Sequence, residues 1–262
     1  MAEQVNLHHA TVTKMLKGQP CKLKPIYIDK LCEIYHATPS TRTNLKTLAA
    51  EAESARGWWH DFEDAALPDK LGMYIVLEGT ASGLAIYQSA RIPGLLQTAE
   101  YARTLLRTSP VLTPEEVERH IEVRMRRQDV LTESQLRLDV ILDESVIHRL
   151  LGDPQLAAGQ LHRIIAVSAL PNVSVRLVPF DACIYRGTET AHFIILEFAG
   201  TADLEAEPPV VFLEAGVGSS LYIDRAERVD WYRRSWADIE RSAWSATKTR
   251  AYLSKIVKEL PR

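Results

Sequence analysis

Six side chains offer acid–base chemistry by type: Asp143 and Glu144, which follow a strand-like run, His148 one turn later, His192, Glu197 and Glu214. Carboxylates and a histidine that converge can exchange protons with a substrate when their environments separate their pKa values. Their spacing brings no such group together. The plainer expectation is that Asp143 caps a helix, Glu144 and His148 lie on its surface, and Glu214 is paired by an arginine of the cluster Arg124, Arg126, Arg127. That cluster, with Gln97 and Gln128, is a candidate contact for a ligand, an acidic partner or nucleic acid. Trp58, Trp59 and His60 could line a small-molecule pocket beside a domain junction. Ala215 to Ser219 has the glycines of a tight turn, but a strand follows, so it reads as a hairpin loop rather than a phosphate cradle. Cys21, Cys32 and Cys183 stand in no metal-ligand spacing. No metal and no cofactor is expected.

The elements that position these residues fall into two groups. In the first third, Val12, Met15 and Leu16 share a helical face ending at Gly18. Pro25 opens a segment with Ile28, Leu31, Cys32 and Tyr35 at helical spacing, and Leu45, Leu48, Ala49 and Ala52 repeat the pattern. Further on, helices alternate with strands. Strand candidates are 83–87, 138–142, 173–178, 192–198, 210–214 and 220–223. Thr113-Pro114-Glu115-Glu116 is a helix start with a capping box, Asp153-Pro154 starts another, and Asp224 and Ser245 are expected caps of the last two. The fold class is therefore α+β: an all-α segment over 1–56, then a mixed α/β domain over 57–262 with a largely antiparallel sheet.

The net charge of -3 would exclude a nucleic-acid binder held by bulk positive charge, but the total conceals a division. Residues 1–50 hold seven Lys or Arg against three acids, a balance of +4, and the rest of the chain carries -7. The basic part has the form of a helix-turn-helix. Apolar residues hold its helices together and leave His9, Ala10, Thr11, Thr13, Lys14 and Lys17 for double-stranded DNA, with the lysines reaching phosphates or guanine edges. No apolar run approaches the ~18 residues of a membrane span, no signal-peptide pattern opens the chain, and the odd cysteine count fits a reducing cytoplasm.

His8 to Gly18 resembles the recognition helix of Cro/CI-type, or xenobiotic-response-element, helix-turn-helix proteins. Leu16 stands where that pattern has Glu. Pro93-Gly94-Leu95-Leu96-Gln97-Thr98, Arg124-Met125-Arg126-Arg127-Gln128, Leu142-Asp143-Glu144-Ser145, Pro171-Asn172-Val173-Ser174-Val175 and the Phe212 to Tyr222 hairpin follow in order. Together they resemble actinobacterial regulators that join this DNA-binding domain to a carboxyl-terminal domain of unknown function. The resemblance implies a transcriptional regulator, acting as a homodimer and binding a small protein encoded nearby or a ligand. Compared with that pattern the first helix is absent. A second expectation stays open, that of an effector, toxin-like component or enzyme derived from such a regulator, working through a pocket in the larger domain.

Overall fold

The structure is a computed structural model and describes residues 25–39, 41–43, 45–46, 71–200, 206–214 and 220–261. The readings placed on His9, Ala10, Thr11, Thr13, Lys14, Lys17, on Trp58, Trp59 and His60, and on the loop 215–219 lie outside these residues. The chain divides into two compact units, 1–60 and 61–262.

In the first unit, α1 (Pro25–Ile34) buries Ile28 and Cys32, one helical turn apart. Its first residue is a proline, which there forgoes no needed hydrogen bond. His36, at φ 51°, takes the left-handed conformation that turns the chain out of the helix. Two cations are internally committed: Lys46 meets Asp29 at 2.7 Å, and Arg42 lies 3.9 Å from Asp29 and 3.8 Å from Glu33.

The second unit is built on a six-stranded sheet: β1 (Gly83–Gln88), β2 (Arg137–Asp143), β3 (Val173–Val178), β4 (Phe193–Glu197), β5 (Val210–Glu214) and β6 (Ser220–Ile223). Its order is β3-β2-β1-β4-β5-β6. The ladders β1–β2 and β2–β3 are parallel, while β1–β4, β4–β5 and β5–β6 are antiparallel. The sheet is thus mixed, with three antiparallel ladders and two parallel ones. Parallel neighbours need long crossovers, and these supply the helices. Between β1 and β2 run α3 (Ala99–Leu106), α4 (Pro114–Arg127) and α5 (Val130–Glu133), and between β2 and β3 run α6 (Glu144–Leu150) and α7 (Pro154–Val167). Ahead of β1 lies α2 (Leu71–Thr80). The short α8 (Arg186–Glu189) precedes β4, and α9 (Ala226–Ser242) and α10 (Ala246–Glu259) follow β6.

Period-two alternation gives the sheet two apolar faces. On one, Leu84, Ile86, Leu138, Val140, Leu142, Val175, Leu177 and Phe212 pack with Tyr74 of α2, Val146 and Ile147 of α6, Leu161 and Ile164 of α7 and Leu253 of α10. On the other, Tyr87, Ile141, Phe193, Ile195 and Val211 pack with Val229 and Ile239 of α9. α3 and α4 form a hairpin with a small core of its own, Ala102, Val117 and Ile121.

Capping follows the expected residues with one correction. Thr113 and Glu116 form the reciprocal capping box of α4, Asp153 caps α7 and Ser245 caps α10. Asp224 does not cap α9: the N-cap position falls on Arg225, whose side chain makes no capping bond. The edge strand β3 is sealed by the end of the chain. Trp244 N donates to Leu177 O at 2.8 Å, and Thr249 Oγ1 accepts from Leu177 N at 3.1 Å.

Candidate functional site

The turn after β1 carries Pro93 to Thr98 and places Leu95 and Leu96 in the core. Burying a turn strands its backbone groups, which need partners from elsewhere. Side-chain amides provide them. Gln97 Nε2 donates to Ile92 O at 2.6 Å, and Gln128 Nε2 donates to Gly94 O at 2.9 Å and Gln97 O at 2.7 Å. Gln160 Nε2 donates to Leu96 O at 2.7 Å while its Oε1 accepts from Thr98 N at 2.8 Å. Three buried glutamines from three places in the chain therefore fix one turn.

Helical spacing puts His120, Arg124 and Arg127 of α4 on one face, at i, i+4 and i+7. Arg127 donates to both oxygens of Glu78 on α2, at 2.8 and 2.7 Å, with the two side chains 9% and 3% exposed. Its guanidinium also lies 5.3 Å from the centre of the Tyr74 ring. Burial opposes the Arg127 charge, but the adjacent Glu78 carboxylate outweighs it and holds the pKa above the usual arginine value. Burial, followed by Glu78, pushes the Tyr74 hydroxyl well up. Arg124 is placed differently. It donates to Gln97 Oε1 at 2.6 Å, and among the described residues no carboxylate lies within ion-pair distance of it. Burial first, and the like charges of Arg127 and Arg91 next, bring its pKa down to about 10, so it keeps its proton at neutral pH. The expectation that an arginine of this cluster pairs with Glu214 is corrected: Glu214 pairs with Arg91, which the turn after β1 delivers to the end of β5. Arg126 faces outward.

These groups border a cavity of about 490 Å³ between one sheet face, α2 and the α3–α4 hairpin. Its apolar wall includes Ile86, Leu105, Leu106, Ile194 and Phe212, and its polar wall includes Gln88, Arg91, Gln97, His120, Arg124 and Glu214. Gln88, the last residue of β1, is 5% exposed, and its Oε1 has no hydrogen-bond partner among the described residues. Burial, then the Arg124 charge, lowers the His120 pKa against the opposing pull of Glu116.

The remaining candidates sit apart from this cavity. Asp143 caps α6 through Ser145 N and accepts from the Tyr185 hydroxyl at 2.5 Å, which in turn lies 2.8 Å from the Tyr87 hydroxyl. Glu144 is not on the surface as expected. It is buried, because Phe180 and Tyr252 close over it: Phe180 N donates to it at 2.7 Å, the Tyr252 hydroxyl donates as well, and His148 Nε2 is 3.3 Å away. His148 itself is exposed. His192 meets the backbone oxygen of Glu214 at 3.1 Å, and Glu197 is held by Arg233 at 2.8 and 2.7 Å. The carboxylates are thus divided among separate ion pairs and caps. Among the described residues no three His, Cys, Asp or Glu side chains are grouped to hold a metal ion.

Of the residues singled out in the sequence, Gln97, Arg124, Arg127, Gln128 and Glu214 come together around the cavity turn, and Glu144 does not. Glu78, Gln88, Arg91 and His120 were missed. The i, i+4, i+7 spacing of His120 with two arginines was visible in the sequence, whereas Glu78 sits in a helix whose largely apolar sequence gives no hint of its arginine.

The larger unit is therefore an α+β domain in which a mixed sheet and a helical hairpin border a cavity with one apolar and one charged wall. Residues 71–255 match the model of a domain of unknown function, DUF5753, and the chain belongs to that family. No curated protein and no solved structure matches it. Among the described residues no helix is long and apolar enough to cross a membrane.

Proposed function

We propose that the protein is a DNA-binding transcriptional regulator whose larger unit holds a small ligand in the cavity described above. The observation that carries the ligand half is the cavity: its volume is in the range of small-molecule sites, and a largely apolar lining with a few convergent polar groups is their usual composition. A concave space of this size and composition favours a small ligand over a partner protein as the occupant. The DNA half rests on the pattern from His8 to Gly18 and on the +4 balance of the first 50 residues. Lys14 and Lys17 are assigned to DNA because they lie within that pattern, whereas Arg42 and Lys46 are engaged with Asp29 and Glu33. A homodimer would set two recognition helices about 34 Å apart, one turn of DNA.

Fluorescence anisotropy with labelled promoter fragments tests the DNA half. The full chain is expected to bind, more weakly as salt rises, and Lys14→Ala with Lys17→Ala should reduce affinity at least tenfold at low salt. Equal binding by the double variant would overturn the assignment.

The alternative of an enzyme gains no support from the carboxylates. Glu144 with His148 and Glu214 with Arg91 occupy different places.

A further inference from the structure

From the unpaired guanidinium and the unpartnered amide oxygen that border the cavity, we propose that its ligand is an amphipathic carboxylic acid, with the carboxylate against Arg124, the hydrocarbon body on the apolar wall and a hydrogen-bond donor for Gln88. This rests on reading the cavity as a ligand site and adds the chemical class of what fills it.

The charge distribution points to an anion. The cavity borders three guanidiniums, Arg91, Arg124 and Arg127, and two carboxylates, Glu78 and Glu214. Two of the arginines are taken up by the two carboxylates. Arg124 remains, with one hydrogen bond among the described residues, to a neutral amide at 2.6 Å. A guanidinium has five N–H donors in a planar fork suited to the two oxygens of a carboxylate, so most of the donor capacity of Arg124 is left for a ligand. His120, which α4 also presents to this cavity, has its pKa lowered by burial and by the Arg124 charge, so it resists becoming a second unpaired cation.

A single carboxylate suits the site better than a phosphate ester. One unpaired cation balances one negative charge, whereas a dianion would leave charge uncompensated beside Glu78 and Glu214. The apolar wall requires the rest of the ligand to be hydrocarbon. Ile86, Ile194 and Phe212 stand on one sheet face, since Ile194 is in register with both Ile86 and Phe212, and Leu105 and Leu106 face them from α3. A buried acceptor without a donor is costly, and a ligand hydroxyl or amide would relieve Gln88 Oε1 of that cost.

Calorimetric titration of the full chain decides the matter with three probe families: octanoate, decanoate and 3-phenylpropionate, each beside its alcohol and its amine. The acids are expected to bind one per chain, at least tenfold tighter than the matched alcohols and amines. Arg124→Gln should remove that preference, so that acids and alcohols bind alike, and Arg124→Lys should restore part of it. 10-Hydroxydecanoate should exceed decanoate in the native protein but not in Gln88→Leu. If alcohols bind as tightly as acids, or Arg124→Gln leaves acid binding intact, the carboxylate assignment is overturned although the cavity still takes ligands. If no probe binds, and a solvatochromic apolar dye gains no fluorescence that Leu105→Trp abolishes, the ligand-site reading itself fails.

Discussion

Glu78 and Arg127 illustrate how a buried pair works in one direction only. Removing one partner leaves a charge in a low-dielectric interior, so Glu78→Gln is expected to cost about 3 kcal/mol in urea unfolding. Replacing both by apolar residues, Glu78→Leu with Arg127→Met, should recover most of that loss, which a purely stabilising ion pair would not permit. His120 gives a second test. Because its folded pKa lies below the ordinary ~6.5, the unfolded chain binds a proton that the folded one resists. Its contribution is complete above that value and is lost as pH falls toward the lower folded pKa. Melting temperatures of the native protein and His120→Gln, compared from pH 7.5 to 5, should show the steeper fall in the native protein. Gly187 is a third case: a Cβ there would lie 2.2 Å from the Tyr87 hydroxyl, whose residue is fully buried. Gly187→Ala should lower the melting temperature and disturb the hydroxyl chain from Tyr87 through Tyr185 to Asp143. Sequence reasoning reached the cavity arginines through their crowding on α4, but no local pattern connects Arg127 to Glu78, 49 residues earlier. Glu144 was misplaced for the same reason, because its burial comes from Tyr252, 108 residues away.

At the level of elements, signals confined to a few residues were legible. The capping box of α4, the Asp-Pro start of α7 and the serine cap of α10 all come from interactions across three residues, and each formed where its residues stood. Thr113→Ala should cost about 1 kcal/mol of unfolding free energy, with Thr113→Ser close to neutral. Since α4 presents His120, Arg124 and Arg127, the same change should weaken ligand binding without touching the cavity wall. Strand positions were likewise readable from β-branched runs, but strand order was not. Joining β1 to both β2 and β4 makes one half of the sheet parallel and the other antiparallel, and this depends on crossovers whose route no alternation pattern records. Helix α2 went unread because Leu71–Thr80 is apolar over most of its length, which leaves little periodic contrast.

For the molecule as a whole, the sheet has β3 and β6 at its edges, and the β3 edge is closed by α10 and the residue pair before it. Thr249, one of the residues that close it, lies 72 residues after its partner Leu177 on the strand. Translation proceeds at about 5–20 residues per second, so on a ribosome this strand waits roughly 4 to 14 seconds for its cover. During that interval its exposed amide and carbonyl groups can pair with another nascent chain, the usual hazard of a bare strand edge. Synthesis rate and chaperone supply should therefore govern the yield of native protein more strongly than its equilibrium stability does. Slowing translation through codons 180–245 should increase the aggregated fraction, and supplying a trigger-type holdase should reduce it, with the melting temperature of the purified protein unchanged.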